Sequence, residues 1–143
     1  MAEIWLARQP GLRGFEKIVV IKRMIGALEE DPDQVEMFLT EARLAAGLTH
    51  PNVVQIFELG EDQGSFFIVM EFLEGESLST VWKEGLKREK PLPGPLAAQI
   101  IASAAEGLHY AHTRTGQNGE PLCIVHRDVS PQNLIVTCDG AVK

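Results

Sequence analysis

Several things are scarce in this 143-residue sequence, and each scarcity excludes a class of protein. Cysteine occurs only twice, as Cys123 and Cys138. Two are too few for a disulfide scaffold and suit reduced thiols in a cytoplasmic chain. Basic residues are outnumbered, with thirteen Lys and Arg against twenty Asp and Glu and a formal charge of −7. That balance argues against a general nucleic-acid binder, which concentrates cations on one face. No apolar run approaches the ~18 residues that a membrane helix needs; the notable one is Phe66 to Met70. The opening Met-Ala-Glu-Ile-Trp lacks the basic-then-apolar layout of a secretory leader. Repeats and low-complexity tracts are absent as well. What is present is 45% hydrophobic residues, enough to bury a core and exclude intrinsic disorder.

The pattern changes character about halfway along. Ile4 to Arg8 reads as a short strand, Gln9 to Gly14 as a Pro/Gly turn, and Glu16 to Met24, with its Ile-Val-Val-Ile, as a buried strand. Asp31-Pro32-Asp33-Gln34 is a helix start: Asp31 caps, Pro32 takes the first position and Gln34 completes a capping box. Val35, Phe38, Leu39, Ala42, Ala45 and Ala46 then share one helical face. Val53 to Leu59 and Ser65 to Phe72 read as strands joined by a loop over Gly60 to Gly64. After Gly75, Lys83 to Pro95 reads as a charged connector, and Pro95 opens a helix with Leu96, Ile100, Ala104, Leu108 and Ala111 on its apolar face. A polar loop follows over Thr113 to Glu120. Leu122 to Val125 and Leu134 to Val136 read as short strands flanking His126-Arg-Asp-Val-Ser-Pro-Gln-Asn133. A strand-rich half followed by a helical half suggests two lobes around a cleft.

Three places carry chemistry. Lys22 sits in the β-branched strand, where an unpaired ammonium is costly to bury; it either ends the strand at solvent or serves a purpose inside. Glu41 falls on the apolar face of the helix and calls for a cation. Lys22 is one candidate, and a rim position facing solvent or Arg43 is the alternative. In the polar loop, Asp128 and Asn133 stand five residues apart, which suits a proton acceptor beside an oxygen ligand for a divalent metal. A purely structural Asp/Ser-Pro/Asn turn is the competing reading. A zinc reading of His109, His112, Cys123 and His126 is also available from spacing alone.

Taken in order, VVIKRM, FLTEARLAAGLTHPNVV, FFIVMEFLEGESL and IVHRDVSPQNLIV resemble the eukaryotic-type serine/threonine protein kinases of bacteria. The resemblance covers essentially the whole chain. It implies an α+β, two-lobed protein-kinase-like fold, with residues 1–72 as the N-terminal lobe and hinge start and 73–143 as the start of the C-terminal lobe through the catalytic loop. By the same resemblance, Lys22 contacts the α- and β-phosphates of ATP and Glu41 is its partner. Met70 is the gatekeeper, the backbone of Glu71 to Leu73 bonds adenine, and Ile4, Val20 and Ile135 wall the base. Asp128 is the catalytic aspartate, Asn133 holds Mg²⁺, Arg127 meets a phosphorylated activation loop and His126 packs.

The sequence departs from that family pattern in three ways. Ala2 takes the place of the third glycine of the phosphate loop, and the leading glycines and first strand are not in the sequence. The sequence reaches Ala141-Val142-Lys143 without a D-F-G. Ser130 stands where the family commonly has a lysine directed at the γ-phosphate, while Pro131 still follows the serine/threonine pattern. The expected function is therefore a cytoplasmic, ATP- and Mg²⁺-dependent kinase acting on protein Ser/Thr, with these 143 residues alone inactive, poorly stable and prone to aggregate. The alternatives are a non-catalytic kinase-like binding fragment or a gene remnant. No nucleic-acid partner and no membrane segment are expected.

Overall fold

The computed structural model describes residues 2–26, 31–116 and 118–143. Gln117, within the polar loop read over Thr113 to Glu120, lies outside them. The architecture is α+β and divides into two compact units, 1–49 with 54–72, and 50–53 with 73–143. Met1 and residues 27–30 also fall outside the described residues.

The first unit is built on an antiparallel sheet of β1 (Ala2–Pro10), β2 (Glu16–Met24), β3 (Ile56–Asp62) and β4 (Ser65–Glu71), in the order β1-β2-β4-β3. β1 is longer than its apolar stretch suggests, because ladder pairing runs from Ala2↔Met24 to Pro10↔Glu16. It lies at an edge of the sheet, with Ile4, Trp5 and Leu6 all exposed. The β3–β4 hairpin is tighter than the five-residue loop read from its glycines. Asp62 pairs with Ser65, leaving Gln63 (φ 52°) and Gly64 (φ 84°) as a two-residue turn. Left-handed φ at both central positions is what the twist of such a hairpin demands.

One face of the sheet is covered by α1 (Pro32–Ala46). Its start follows the sequence logic: Asp31 accepts a bond from the Asp33 amide at 3.0 Å, and Pro32 occupies the first turn. Among the described residues Gln34 returns no side-chain bond to Asp31, so the cap is one-sided. Phe38 and Ala42 are buried against Met24 and Ile68, with Val35, Leu39, Ile56, Leu59, Phe66 and Met70 packed around them. Deleting a buried aromatic such as Phe38 costs roughly 3–5 kcal/mol.

The second unit joins a small ribbon, β5 (Gly75–Ser77) with β6 (Ile135–Thr137), to α2 (Leu78–Lys87) and α3 (Gly94–His112). Its core gathers Leu78, Ile100 and Val142, with Leu92, Leu134 and Val136 against them. Two sequence readings change here. Of the stretch read as a connector from Lys83 to Pro95, Lys83 to Lys87 is instead the second half of α2, since Lys, Glu and Leu are good helix formers, while residues 88–93 do join the two helices. Leu122 to Val125 is not a strand; alternating or apolar residues become strand only where a partner edge is available. Residues 50–53 are held inside this unit. Asn52 donates to the Val142 carbonyl at 2.8 Å, and the His50 ring stacks on Tyr110 at 4.9 Å between centroids. Gly107 of α3 lies directly beneath the Asn52 carbonyl.

Candidate functional site

The residues singled out from sequence fall in two groups, one in each unit. In the first unit, register decides which side chains share a face, because directly paired residues of an antiparallel ladder point the same way. Lys22 pairs with Ile4 on one side and Ile68 on the other, and Val20 pairs with Leu6 and Met70. Ile4, Val20, Lys22 and Met70 therefore share the face that carries α1. Ile4 is 63% exposed, so it forms an open wall rather than part of the core.

Lys22 and Glu41 line the same concavity, together with Ala2, Met24, Gln34, Met37 and Phe38. They do not form an ion pair among the described residues. Glu41 is exposed, and the Lys22 ammonium stands 6.0 Å from the centre of the Phe38 ring, one helical turn before Glu41. Lys22 is one partner that the sequence offers Glu41, beside a rim position facing solvent or Arg43; here Glu41 is exposed and the two make no ion pair among the described residues. Phe38 is the neighbour that sequence reading missed; its spacing assigned it to core alone, although a buried ring face also suits a nearby cation.

At the end of β4, Glu71 is fastened to the preceding loop. Its N–H donates to the Gln55 carbonyl at 2.9 Å, and its carboxylate accepts from the Gln55 amide at 2.6 Å. The Glu71 N–H is thereby committed to Gln55. Leu73 is half-buried, and so is Ile135 on β6.

In the second unit the polar loop is built from local bonds. The Asn133 amide nitrogen donates to the Asp128 carboxylate at 2.8 Å and to its carbonyl at 3.0 Å, while the Asn133 N–H donates to Ser130 at 3.0 Å. The His126 Nδ1 accepts from the Asp128 N–H at 3.3 Å. Arg127 holds a left-handed φ of 65°, a conformation costing an L-residue roughly 1–2 kcal/mol. Strain of this kind concentrates where a loop is over-determined for a purpose. Asp128 and Asn133 are both exposed.

Helix α2 anchors this loop. Ser77 caps the helix through a bond from the Thr80 amide at 3.1 Å. The first helical amides, which have no partner within the helix, go to the loop instead: Leu78 donates to Leu134 at 2.8 Å and Ser79 to Pro131 at 2.9 Å. Sequence reading missed this role, although a serine just before an apolar run was its signal. Among the described residues no three His, Cys, Asp or Glu side chains are grouped to hold a metal ion, so His109, His112, Cys123 and His126 form no zinc cluster.

The family model for the protein kinase domain matches residues 12–143. The chain belongs to the protein kinase family. It is 51% identical over 143 residues to the tyrosine-protein kinase MasK of Myxococcus xanthus, covering 100% of this chain and 22% of that protein. It is 34% identical over 147 residues to the serine/threonine-protein kinase PknB of Mycobacterium leprae, covering 100% of this chain and 21% of the relative. The PknI kinase domain of Mycobacterium tuberculosis matches it in structure with a TM-score of 0.76 at 27% identity, over 99% of this chain and 51% of that one. The chain thus has the protein-kinase fold and spans about half of that solved domain, and about a fifth of these two curated relatives. No helix among the described residues is long and apolar enough to cross a membrane.

Proposed function

We propose that this chain supplies nucleotide-binding and catalytic residues for transfer of the ATP γ-phosphoryl group to a protein hydroxyl. The observation that carries the proposal is the Asp128–Asn133 pair, a bonded carboxylate and amide on a loop anchored to a helix N-terminus, within a chain of the kinase family. Asp128 orients the acceptor hydroxyl and takes its proton. Lys22 neutralises the α- and β-phosphates, with Glu41 as its partner in the nucleotide-bound state. Ile4, Val20, Met70 and Ile135 supply apolar walls to the base, and backbone groups of 71–73 bond its edge.

Mg²⁺ is the implied metal, and the donor set fits it. With the Asn133 nitrogen turned toward Asp128, its amide oxygen is the hard donor on offer, the ligand chemistry Mg²⁺ takes. Asn133 would hold the ion, which when bound offsets charge on the transferring phosphate. The chemistry asked of the protein is mostly positioning and charge neutralisation.

We read the acceptor as serine or threonine, on Pro131 after Ser130 and on the PknB relative. Tyrosine is the second reading, because the 51%-identical MasK is named a tyrosine kinase. Phosphoamino-acid analysis of product formed by the full protein that carries this chain separates the two. Phosphoserine and phosphothreonine support the first reading, and phosphotyrosine alone overturns it. Lys22→Met should raise the KM for ATP and lower transfer about a hundredfold or more; an unchanged rate would remove Lys22 from the site.

A further inference from the structure

We propose that the Glu71 carboxylate is a positioning group for base recognition: by taking the Gln55 N–H, it keeps the Glu71 main-chain carbonyl out of that bond and directed at the 6-amino group of adenine. This rests on the proposed reading in which backbone groups of 71–73 bond the edge of the base.

Sheet register singles out the pair. β3 and β4 place Ile56 opposite Met70, which makes Gln55 and Glu71 the next pair along. In an antiparallel ladder a hydrogen-bonded pair exchanges two main-chain bonds. Gln55 and Glu71 exchange one. The Glu71 N–H donates to the Gln55 carbonyl at 2.9 Å, but the Gln55 N–H donates at 2.6 Å to the Glu71 carboxylate. The side chain of Glu71 stands in for its own carbonyl. An ionised acceptor makes the stronger bond, so the exchange is favoured by chemistry as well as by reach.

The place of this exchange in the chain gives it a use. Gln55 follows Val54, where the chain enters the first unit, and Glu71 precedes Phe72, where the chain leaves it. The Gln55 side-chain amide also donates to the Ile56 carbonyl at 3.0 Å, and Gln55 and Glu71 are both half-buried. A frayed strand end would leave the Gln55 N–H to water, whereas here a carboxylate holds it. A carbonyl can only accept, and the strong donor on the edge of adenine is its exocyclic amine. The group that this carbonyl recognises is therefore the 6-amino group, which an unsubstituted purine lacks.

The test uses the full protein that carries this chain. Calorimetry gives the Kd of ATP and of purine riboside triphosphate, which lacks the 6-amino group. The unsubstituted protein should prefer ATP about two- to tenfold, the range of one hydrogen bond. In Glu71→Ala the Gln55 N–H turns to the Glu71 carbonyl, and that preference should collapse, with ATP weakened more than the analogue. Glu71→Val, with a side chain suited to a strand, repeats the measurement if the alanine variant does not fold. Glu71→Gln keeps an acceptor oxygen and should recover the preference at least in part. A merely structural role would weaken both nucleotides by one factor and leave their ratio unchanged. An unchanged ratio, or a glutamine variant that loses as much preference as alanine, would overturn the inference and leave nucleotide binding standing. Failure of the unsubstituted protein to bind either nucleotide would overturn the underlying reading and the inference with it.

Discussion

Two glycines of the same helix should respond to alanine in opposite directions. A methyl built on Gly107 would lie 2.7 Å from the Asn52 carbonyl oxygen and 3.2 Å from the carbon behind it. Asn52 cannot simply move aside. Its amide bonds the His50 ring at 3.1 Å, its side chain bonds the Val142 carbonyl at 2.8 Å, and His50 is stacked on Tyr110. Overpacking against a held backbone costs about 1–3 kcal/mol. Alanine recovers about 1 kcal/mol of helix propensity at an interior position, leaving a net loss of up to about 2 kcal/mol, or up to roughly 30-fold in an opening equilibrium. Gly94, at the start of the same helix, has open space where its methyl would go, so the propensity gain of at most about 1 kcal/mol stands unopposed. Hydrogen exchange at the Val53 amide, which bonds the His50 carbonyl at 3.0 Å, reads the local effect. Gly107→Ala should speed that exchange by the stated factor, and Gly94→Ala should leave it unchanged or slower. Equal protection in the two variants would refute the packing of residues 50–53 on α3.

Two further perturbations follow from particular geometry. Glu89 is an L-residue in the left-handed position of a Schellman turn, so Glu89→Gly should raise stability by up to about 1 kcal/mol, seen as a higher melting temperature; a lower one would contradict the turn. The Asp139 carboxyl is held below its ordinary value of 3.8, chiefly by the Thr137 hydroxyl and next by the Ala141 amide. A depressed carboxylate stabilises the fold above its unfolded pKa and loses that contribution as pH falls through the lower folded value. NMR titration should therefore place the Asp139 midpoint below 3.8, and Thr137→Val should move it up; no movement would remove the hydroxyl as the cause.

Local signals were legible in proportion to how locally they act. The Asp31 cap, Pro32 and the spacing from Val35 to Ala42 fixed α1, because those interactions lie within a few residues of one another. The span of β2 was readable for the same reason. Leu122 to Val125 has strand-like composition, but pairing depends on a distant edge that no local pattern reports. The charged half of α2 was hidden because charge was read as solvation, whereas Lys and Glu are also helix formers. At the candidate site, sequence put Glu41 on the apolar face of its helix with Lys22 as one candidate partner, and the two line one concavity. It could not foresee that the Lys22 ammonium sits near Phe38 instead, since rotamers answer to three-dimensional neighbours. The Asp128–Asn133 bonds were within reach of sequence because a five-residue loop brings its ends together.

The most direct measurement is transfer of labelled phosphate from Mg-ATP to a protein acceptor by the full protein carrying this chain, with Asp128 intact and as Asp128→Asn. The substitution keeps size and one acceptor oxygen while removing the carboxylate proposed to take the proton, so kcat should fall about 10²–10⁴-fold with the KM for ATP little changed. A variant that transfers phosphate at the unsubstituted rate would contradict the assignment of Asp128 and, with it, the catalytic reading of the 126–133 loop.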